Sequence, residues 1–479
     1  MYLITSAAYI SQELRNEVGK LPPTFLPIKN RRLFLHQLES LKLEEDVYLS
    51  LPEDFKIEEF DKYLLEQNNV KIIKIPTDLS LGESIYFAIN SINRNKEVLR
   101  ILHGDTLILD LPDLQEDFVI ASTIIDDYDW SRIIDSTKDL VHSGYFSFND
   151  LNLFKKILKS TNFDFIQSIK EYSKDRTVKI VESNNWLDFG HINTFFRSKA
   201  FMPNIRHFNS MKINTKTVLK SSKNNNNKII AEFKWFQNIP QKIKYFIPQL
   251  VDSVDDSLNK LAHYELEYLY FLSLNELFVY CKLPIYKWSQ IFTSCYNYLE
   301  ESAKYKPEKQ EISNYLNNDI YLDKTLKRVS DFLEDNKEFE KELSYNGKIV
   351  GTLKEIAIKS AEYIKLPQDN NITVVHGDFC FSNILFDFRR QDIKVIDPRG
   401  LNKDGGFDIY GDQRYEYAKL AHSVIGLYDN IIAEKYYLEE SNSNYNLVFP
   451  NMNEIEQIQD LFWETFESDK IDKKYIYSS

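Results

Sequence analysis

Short apolar runs of strand length alternate with stretches at helical spacing through the first part of this chain, and then the alternation stops. Tyr2-Leu3-Ile4-Thr5, Asp46–Leu51, Val70–Ile75 and Val98–Asp105 read as strands. Between them Leu33–Leu43, Phe60–Leu65 and Ser80–Ile92 carry apolar residues at helical spacing. Strands that alternate with helices up to about residue 200 predict a mostly parallel sheet covered by those helices. Near residue 203 the texture changes. Asn209–Ser221 and Lys228–Phe233 bracket an Asn224–Asn227 run that reads as a turn. Beyond about 250 long amphipathic helices are expected, with Tyr264–Cys281 and Trp288–Tyr305 as the clear cases. A strand–turn–strand segment returns at Ile372–Ile396, and the tail after about 430 is polar and aromatic with weak periodicity.

At 479 residues the chain exceeds one ordinary core, so more than one domain is expected. Hydrophobic residues at 43% suit globular cores, and a net charge of -13 argues against nucleic acid or an anionic membrane as the main partner. Cys281, Cys295 and Cys380 have no metal spacing and suggest no disulfide framework, which suits a reducing cytoplasm. Met1–Thr5 lacks the features of a signal peptide, and no apolar run approaches the ~20 residues that span a bilayer. The sequence assigns no oligomeric state.

The chemistry-bearing segment is Ile372-Thr-Val-Val-His376-Gly377-Asp378-Phe-Cys-Phe-Ser-Asn383, followed by Ile396-Asp397-Pro-Arg-Gly400. One strand delivers a His-Gly-Asp turn, Asn383 follows Asp378 by five residues, and a second strand delivers Asp397. Phosphoryl transfer needs these groups. The transferred phosphoryl carries spread negative charge, and Mg²⁺ takes hard oxygen ligands such as Asn383 and Asp397 can supply. Asp378 can accept the proton of an incoming hydroxyl. His376 reads as a structural hydrogen-bonding residue rather than the base.

This stretch resembles the aminoglycoside phosphotransferase and choline kinase superfamily, whose His-Gly-Asp, Asn and Ile-Asp-x-x-Gly pattern is matched at 376–383 and 396–400. The family's Gly-Asp-Pro-x-x-Asp-Leu-Ala resembles 411–418, with Gln413 and Glu416 as departures. The resemblance covers about 205–430 and implies a bilobal protein-kinase-like domain over 204–479, with a small lobe at about 204–265 and a helical large lobe at about 266–479. It implies ATP and Mg²⁺ as cofactors, with Asp378, Asn383 and Asp397 catalytic and Asn383 and Asp397 holding the metal. Lys220, on a strand-like segment, would hold the nucleotide phosphates and Glu232 would pair with it; His376 completes the nucleotide-side set. No glycine-rich phosphate loop lies between Asn204 and Thr217.

The first part resembles sugar-phosphate nucleotidyltransferases, which implies a Rossmann-like sheet with helices over 1–203. Ala7–Leu14 stands for their Gly-rich loop and Leu21–Ile28 for their Pro-Lys segment. Leu81–Ser84 resembles their second Gly-containing turn and His142–Phe148 their substrate-side strand. Leu102-His103-Gly104-Asp105 and Trp186–His191 resemble strands that end in metal-binding carboxylates, Asp105 and Asp188. Tyr9 and Ser11 replace both loop glycines, Glu13 sits where an arginine belongs, and the activating lysine is missing. Close backbone approach to a triphosphate needs glycine, and a carboxylate there opposes it by roughly a kcal/mol. Two readings stand: a divergent transferase using CTP, UTP or GTP, with Lys20, Lys29, Arg31 or Arg32 substituting, or a binding domain that has lost the chemistry.

The expected function is therefore an ATP-dependent kinase acting on the hydroxyl of a small-molecule sugar, polyol or amino alcohol. It is fused to a nucleotidyltransferase-like domain in capsule or other cell-surface polysaccharide synthesis. A drug-modifying aminoglycoside kinase and a non-catalytic binding or regulatory protein are the alternatives.

Overall fold

A computed structural model describes residues 1–41, 45–92, 98–123, 128–133, 138–202, 210–222, 226–256, 261–316, 320–364, 366–402, 404–441 and 443–467. The chain forms two compact units: Met1–Met202 with Tyr280–Lys282, and Pro203–Val279 with Leu283–Ser479. The boundary expected at 203 and 204 falls outside the described residues, as do Asn224 and Asn225 of the asparagine run and the end of the 33–43 helix.

The first unit is built on a seven-stranded sheet. Its strands are β1 (Tyr2–Thr5), β2 (Val47–Pro52), β3 (Val70–Ile75), β4 (Leu99–His103), β5 (Phe118–Thr123), β6 (Leu140–Phe148) and β7 (Lys179–Glu182), in the order β7-β5-β6-β4-β1-β2-β3. β1 pairs in parallel with both β2 and β4, and β6 runs antiparallel between β4 and β5. The apolar runs explain this: every residue of β2 is buried, as continuous apolar strands covered on both faces require. Around the sheet lie α1 (Gln12–Val18), α2 (Leu33–Ser40), α3 (Glu59–Gln67), α4 (Leu81–Ile92), α5 (Leu151–Ser160), α6 (Phe165–Asp175) and α7 (Ile192–Phe201). Asp150 and Asp164 cap α5 and α6 by accepting from the backbone N–H of Leu153 and Gln167. These caps fix Phe154, Phe165 and Tyr172 into one core with Leu3, Ile101, Phe146 and Phe148. β2 and β4 lie on opposite sides of β1, so the sheet has a switch point where β1 and β4 end. Open α/β sheets bind ligands beyond the carboxyl ends of such strands.

The second unit begins with a four-stranded antiparallel sheet of β8 (Ser210–Ile213), β9 (Thr217–Ser222), β10 (Leu250–Asp256) and β11 (Leu261–Glu267), ordered β8-β9-β11-β10. Helix α8 (Asn226–Asn238) follows β9 and buries Ile229, Phe233, Trp235 and Phe236. The helix expected over Tyr264–Cys281 is corrected. Ala262, Tyr264 and Leu266 are buried in alternation on β11, and only Leu274–Tyr280 is helical. A period of two wins there because β11 lies between two partner strands. Helix α9 (Ile285–Ser302) starts at Pro284 and carries Trp288, Phe292, Cys295 and Tyr298 into the core.

The segment that carries His376, Gly377 and Asp378 forms Ile372–Val374, paired with Tyr410–Asp412, and then the hairpin of β12 (Ile384–Asp387) and β13 (Asp392–Val395). Beyond it come α10 (Arg414–Val424), a hairpin of Tyr437–Ser441 with Asn444–Val448, and α11 (Met452–Phe466). The tail is thus more ordered than its sequence suggests: Phe462 and Phe466 of α11 pack on Phe292 of α9 at 5.9 and 5.8 Å between ring centroids. Among the described residues no helix is long and apolar enough to cross a membrane.

Candidate active site

The hairpin register sets the site. Ile384 stands opposite Val395, and the Ile396 N–H donates to the Asn383 carbonyl at 2.9 Å, so Asn383 and Asp397 come off adjacent strands side by side. Asn383 Nδ2 donates to the Asp378 carbonyl at 2.9 Å and to Asp378 Oδ2 at 3.1 Å. This fixes the carboxamide and turns its oxygen the other way, where the Ser382 hydroxyl reaches it only at 3.4 Å. Asp397 holds a left-handed backbone, φ 57°, an arrangement that costs a non-glycine residue about 1 kcal/mol or more and clusters at functional sites.

Lys220 of β9 and Glu232 of α8 meet at 2.7 Å, and Lys220 Nζ also reaches Asp397 Oδ1 at 3.1 Å. The pair is almost fully enclosed. Burial opposes the lysine charge, but Asp397 and Glu232 outweigh it and hold the ammonium protonated above its ordinary range. Tyr264 of β11 donates its O–H to Glu232 at 2.6 Å and locks the carboxylate from behind.

His376, expected on the nucleotide side, is bound into the turn itself. It is fully buried. Its Nε2 lies 2.9 Å from the Ile396 carbonyl, and its Nδ1 accepts from the Asp378 N–H at 3.3 Å, so both ring nitrogens serve the backbone. Burial pushes it down to about 4, which keeps the ring neutral. It ties the Asp378 turn to the strand that carries Asp397. Gly377, at φ 79°, lies so close to Arg399 that a Cβ would stand 2.7 Å from the arginine Cβ.

Three residues of α10 hold the same turn. Glu416 accepts the His376 N–H at 2.9 Å and the Gly377 N–H at 2.8 Å. Lys419 Nζ pairs with Asp378 Oδ1 at 2.8 Å. Ser423 Oγ accepts the Phe381 N–H at 3.1 Å. Positions 416, 419 and 423 share one helix face by spacing alone. The departure at Glu416 therefore keeps a carboxylate under the turn. Lys419 and Ser423 were missed, and the helical periodicity running on from Glu416 was the signal for them. Burial pushes the Glu416 carboxyl up to about 7 against the two N–H donors that favour its charge.

The donor set fits a hard divalent cation: the Asn383 carboxamide oxygen and the Asp397 carboxylate lie together beside a lysine suited to phosphate. Asp378 and Asp397 are 42% and 40% exposed at the side chain, so a substrate can reach both.

In the first unit Asp105 follows β4 at the switch point and Asp188 ends the strand Trp186–Asp188, which pairs antiparallel with Thr106–Ile108. The two carboxyls are close neighbours. Burial, and then the Asp188 charge, push Asp105 up to about 6. Gly190 makes room for them, since a Cβ there would stand 2.5 Å from Asp105 Oδ2. Asp188 is held by His191 Nδ1 at 3.0 Å and by the Thr194 hydroxyl. Tyr128 stacks on His191 at 4.0 Å, and Trp130 packs edge-on to Trp186 at 5.2 Å. Among the described residues no three His, Cys, Asp or Glu side chains form a metal cluster.

The loop that stands for the phosphate cradle is tied elsewhere. Tyr9 donates to Asp54 at 2.7 Å, and Lys20 pairs with Asp54 at 3.1 Å and lies 4.0 Å over the Tyr9 ring. Of the proposed substitutes, Arg31 pairs with Glu39 at 2.7 Å, and Arg32 is buried against Asp61 at 2.8 Å with its guanidinium on the Phe25 carbonyl. Arg32 is thereby removed from any phosphate role.

No family model matches the chain, and no curated protein matches it. Among solved structures it is similar to a nucleoside-diphosphate-sugar pyrophosphorylase from Vibrio cholerae, at 13% identity over 42% of this chain and 99% of that one, TM-score 0.35. It is similar to an inositol-1-phosphate CTP transferase from T. maritima, at 13% identity over 40% of this chain and 90% of that one, TM-score 0.32. It is also similar to an aminoglycoside-3'-phosphotransferase of type VIII, at 10% identity over 58% of this chain and 88% of that one, TM-score 0.35. At these scores the likenesses carry no functional argument.

Proposed function

We propose that the second unit transfers the terminal phosphoryl group of ATP to a hydroxyl of a small molecule, a sugar, polyol or amino alcohol. The observation that carries this reading is the meeting of Lys220, Glu232 and Asp397 at one end of the site with Asn383 and Asp378 at the other. Asn383 orients Asp378 through Nδ2, so the carboxylate can take the proton of the acceptor hydroxyl as its oxygen attacks phosphorus. Lys220, held by Glu232, meets the nucleotide phosphates. Mg²⁺, when held by Asn383 Oδ1 and Asp397, offsets phosphate charge. His376 and Glu416 fix the backbone on which Asp378 sits.

For the first unit we propose a sugar-phosphate-binding module without nucleotidyl transfer. The Ile10 N–H given to the Leu21 carbonyl at 3.1 Å, with the Tyr9 side chain tied to Asp54, supports this, because a triphosphate needs free backbone amides there. A product made by the second unit and recognised by the first would suit assembly of cell-surface polysaccharide. The fusion of the two units in one chain is what supports that setting.

The test is ADP release by the purified chain with ATP, Mg²⁺ and a panel of hexoses, pentitols and choline. Asp378→Ala is expected to lower kcat by about 10²- to 10⁴-fold. Failure of every acceptor, with Asp378→Ala indistinguishable from wild type, would sink the kinase reading. Incubation of the same protein with CTP, UTP or GTP and a sugar 1-phosphate is expected to release no pyrophosphate. Release of pyrophosphate would overturn the reading of the first unit.

A further inference from the structure

The two oxygens of Asp378 face different neighbours. Oδ2 is fixed by Asn383, on the side of Asp397 and Lys220. Oδ1 is taken by Lys419 Nζ at 2.8 Å, from a different element. Lys419 is 23% exposed at the side chain, and burial, which opposes its charge, is outweighed by Asp378, so it stays protonated. Besides Asp378, the groups that sense it electrostatically are Tyr415, Glu416, Cys380, His422 and Asp429, all on α10, the Asp378 turn or the segment just after α10. None is a nucleotide-side residue. Of the other two carboxyls, Asp429 is buried and hydrogen-bonded with Ser423, and Glu416 is buried and taken by the His376 and Gly377 N–H groups. A half-exposed ion pair of this kind contributes about 0–1 kcal/mol to folding. Glu416 and Ser423 already anchor the turn from the same helix face. Lys419 reaches past that backbone to the reactive side chain.

We propose that Lys419 is a further catalytic residue of the phosphoryl transfer, pairing with Asp378 before the step and with the new phosphomonoester after it. The inference rests on the kinase reading above. In the step the acceptor oxygen forms its bond to phosphorus while the bond from phosphorus to the departing ADP oxygen breaks. The acceptor proton passes to Asp378, whose carboxylate becomes a neutral acid. Lys419 then loses its anionic partner at the moment when a phosphomonoester of charge near -1.5 to -2 appears beside it. Moving by a bond length or two keeps its charge compensated throughout.

The experiment uses the full chain as Lys419→Ala and Lys419→Arg, assayed for ADP release with whichever of the hexoses, pentitols or choline turns over in the wild type. Lys419→Ala is expected to lower kcat by about 10²-fold, the scale for removing one preorganised charge donor, with KM for ATP little changed. Lys419→Arg is expected to restore part of the rate, and ethylamine added to Lys419→Ala is expected to restore part as well. A residue that only supported the fold would not respond to a free amine. Wild-type kcat in Lys419→Ala overturns the proposal while leaving the kinase reading intact. Loss of rate with an altered ATP KM and no rescue by arginine or amine assigns Lys419 a structural part and likewise overturns it. If the wild type releases no ADP with any acceptor, the kinase reading fails and this proposal falls with it.

Discussion

Glu416 concentrates the energetics of the site in one carboxyl. It is buried, yet it receives two backbone N–H groups from the turn that carries Asp378. Removing it leaves both donors unsatisfied, at about 1–3 kcal/mol each. Its titration also has a definite sign. The ordinary glutamate value is 4.5 and burial takes this one to about 7. Between those values the native chain keeps a proton that the unfolded chain has released. The stability it contributes is therefore complete below the unfolded value and is lost as pH rises through about 7. His103, His142 and His376 act with the opposite sign, since burial pushes each down to about 4, but their contribution is fully in place once pH passes the ordinary 6.5. The melting temperature of the wild type relative to Glu416→Gln is expected to fall between about pH 4.5 and 7 and to level off above that. A flat or rising difference over that range would contradict the assignment.

At the scale of elements, α10 and α11 do more than their sequences announce. Helix α10 holds the Asp378 turn at three points on one face, and α11 seals the core behind α9 with Phe462 and Phe466. Phe462 is fully buried, so Phe462→Ala is expected to cost about 3–5 kcal/mol and to lower the melting temperature markedly. Chemical denaturation checks this, and a loss under 1 kcal/mol would mean that α11 is not part of that core. The strands around Asp378 were readable because Ile372–Val375, Ile384–Phe386 and Ile393–Ile396 are short stretches rich in apolar and β-branched residues that lead into polar groups. Strands β1 to β4 were readable for the same reason. Helix α11 was not, because Ile455, Phe462 and Phe466 are spread among charged residues. Strand β11 was misread because its aromatic and aliphatic residues also fit a helical spacing over a longer window. The helical periodicity from Glu416 marks the face that Lys419 and Ser423 share, but their partners Asp378 and Phe381 lie some forty residues away in the chain, which no local pattern encodes.

At the scale of the molecule each unit has its own core, one around Phe146, Phe148 and Phe154 and the other around Trp288, Phe292 and Phe462. Calorimetry is expected to resolve two transitions, with Phe154→Ala lowering one and Phe462→Ala the other. One transition moved equally by both substitutions would show a single cooperative body. Set against a net stability of roughly 5–15 kcal/mol for a domain, a strained backbone at one position is a visible fraction of the total. Asp397 occupies such a position, and glycine would fit it without strain. A lineage released from any need for phosphoryl transfer would gain by drifting to glycine there, since most proteins sit close above a stability threshold. An aspartate at φ 57° is, on that reasoning, a residue that costs the fold durability where glycine would not.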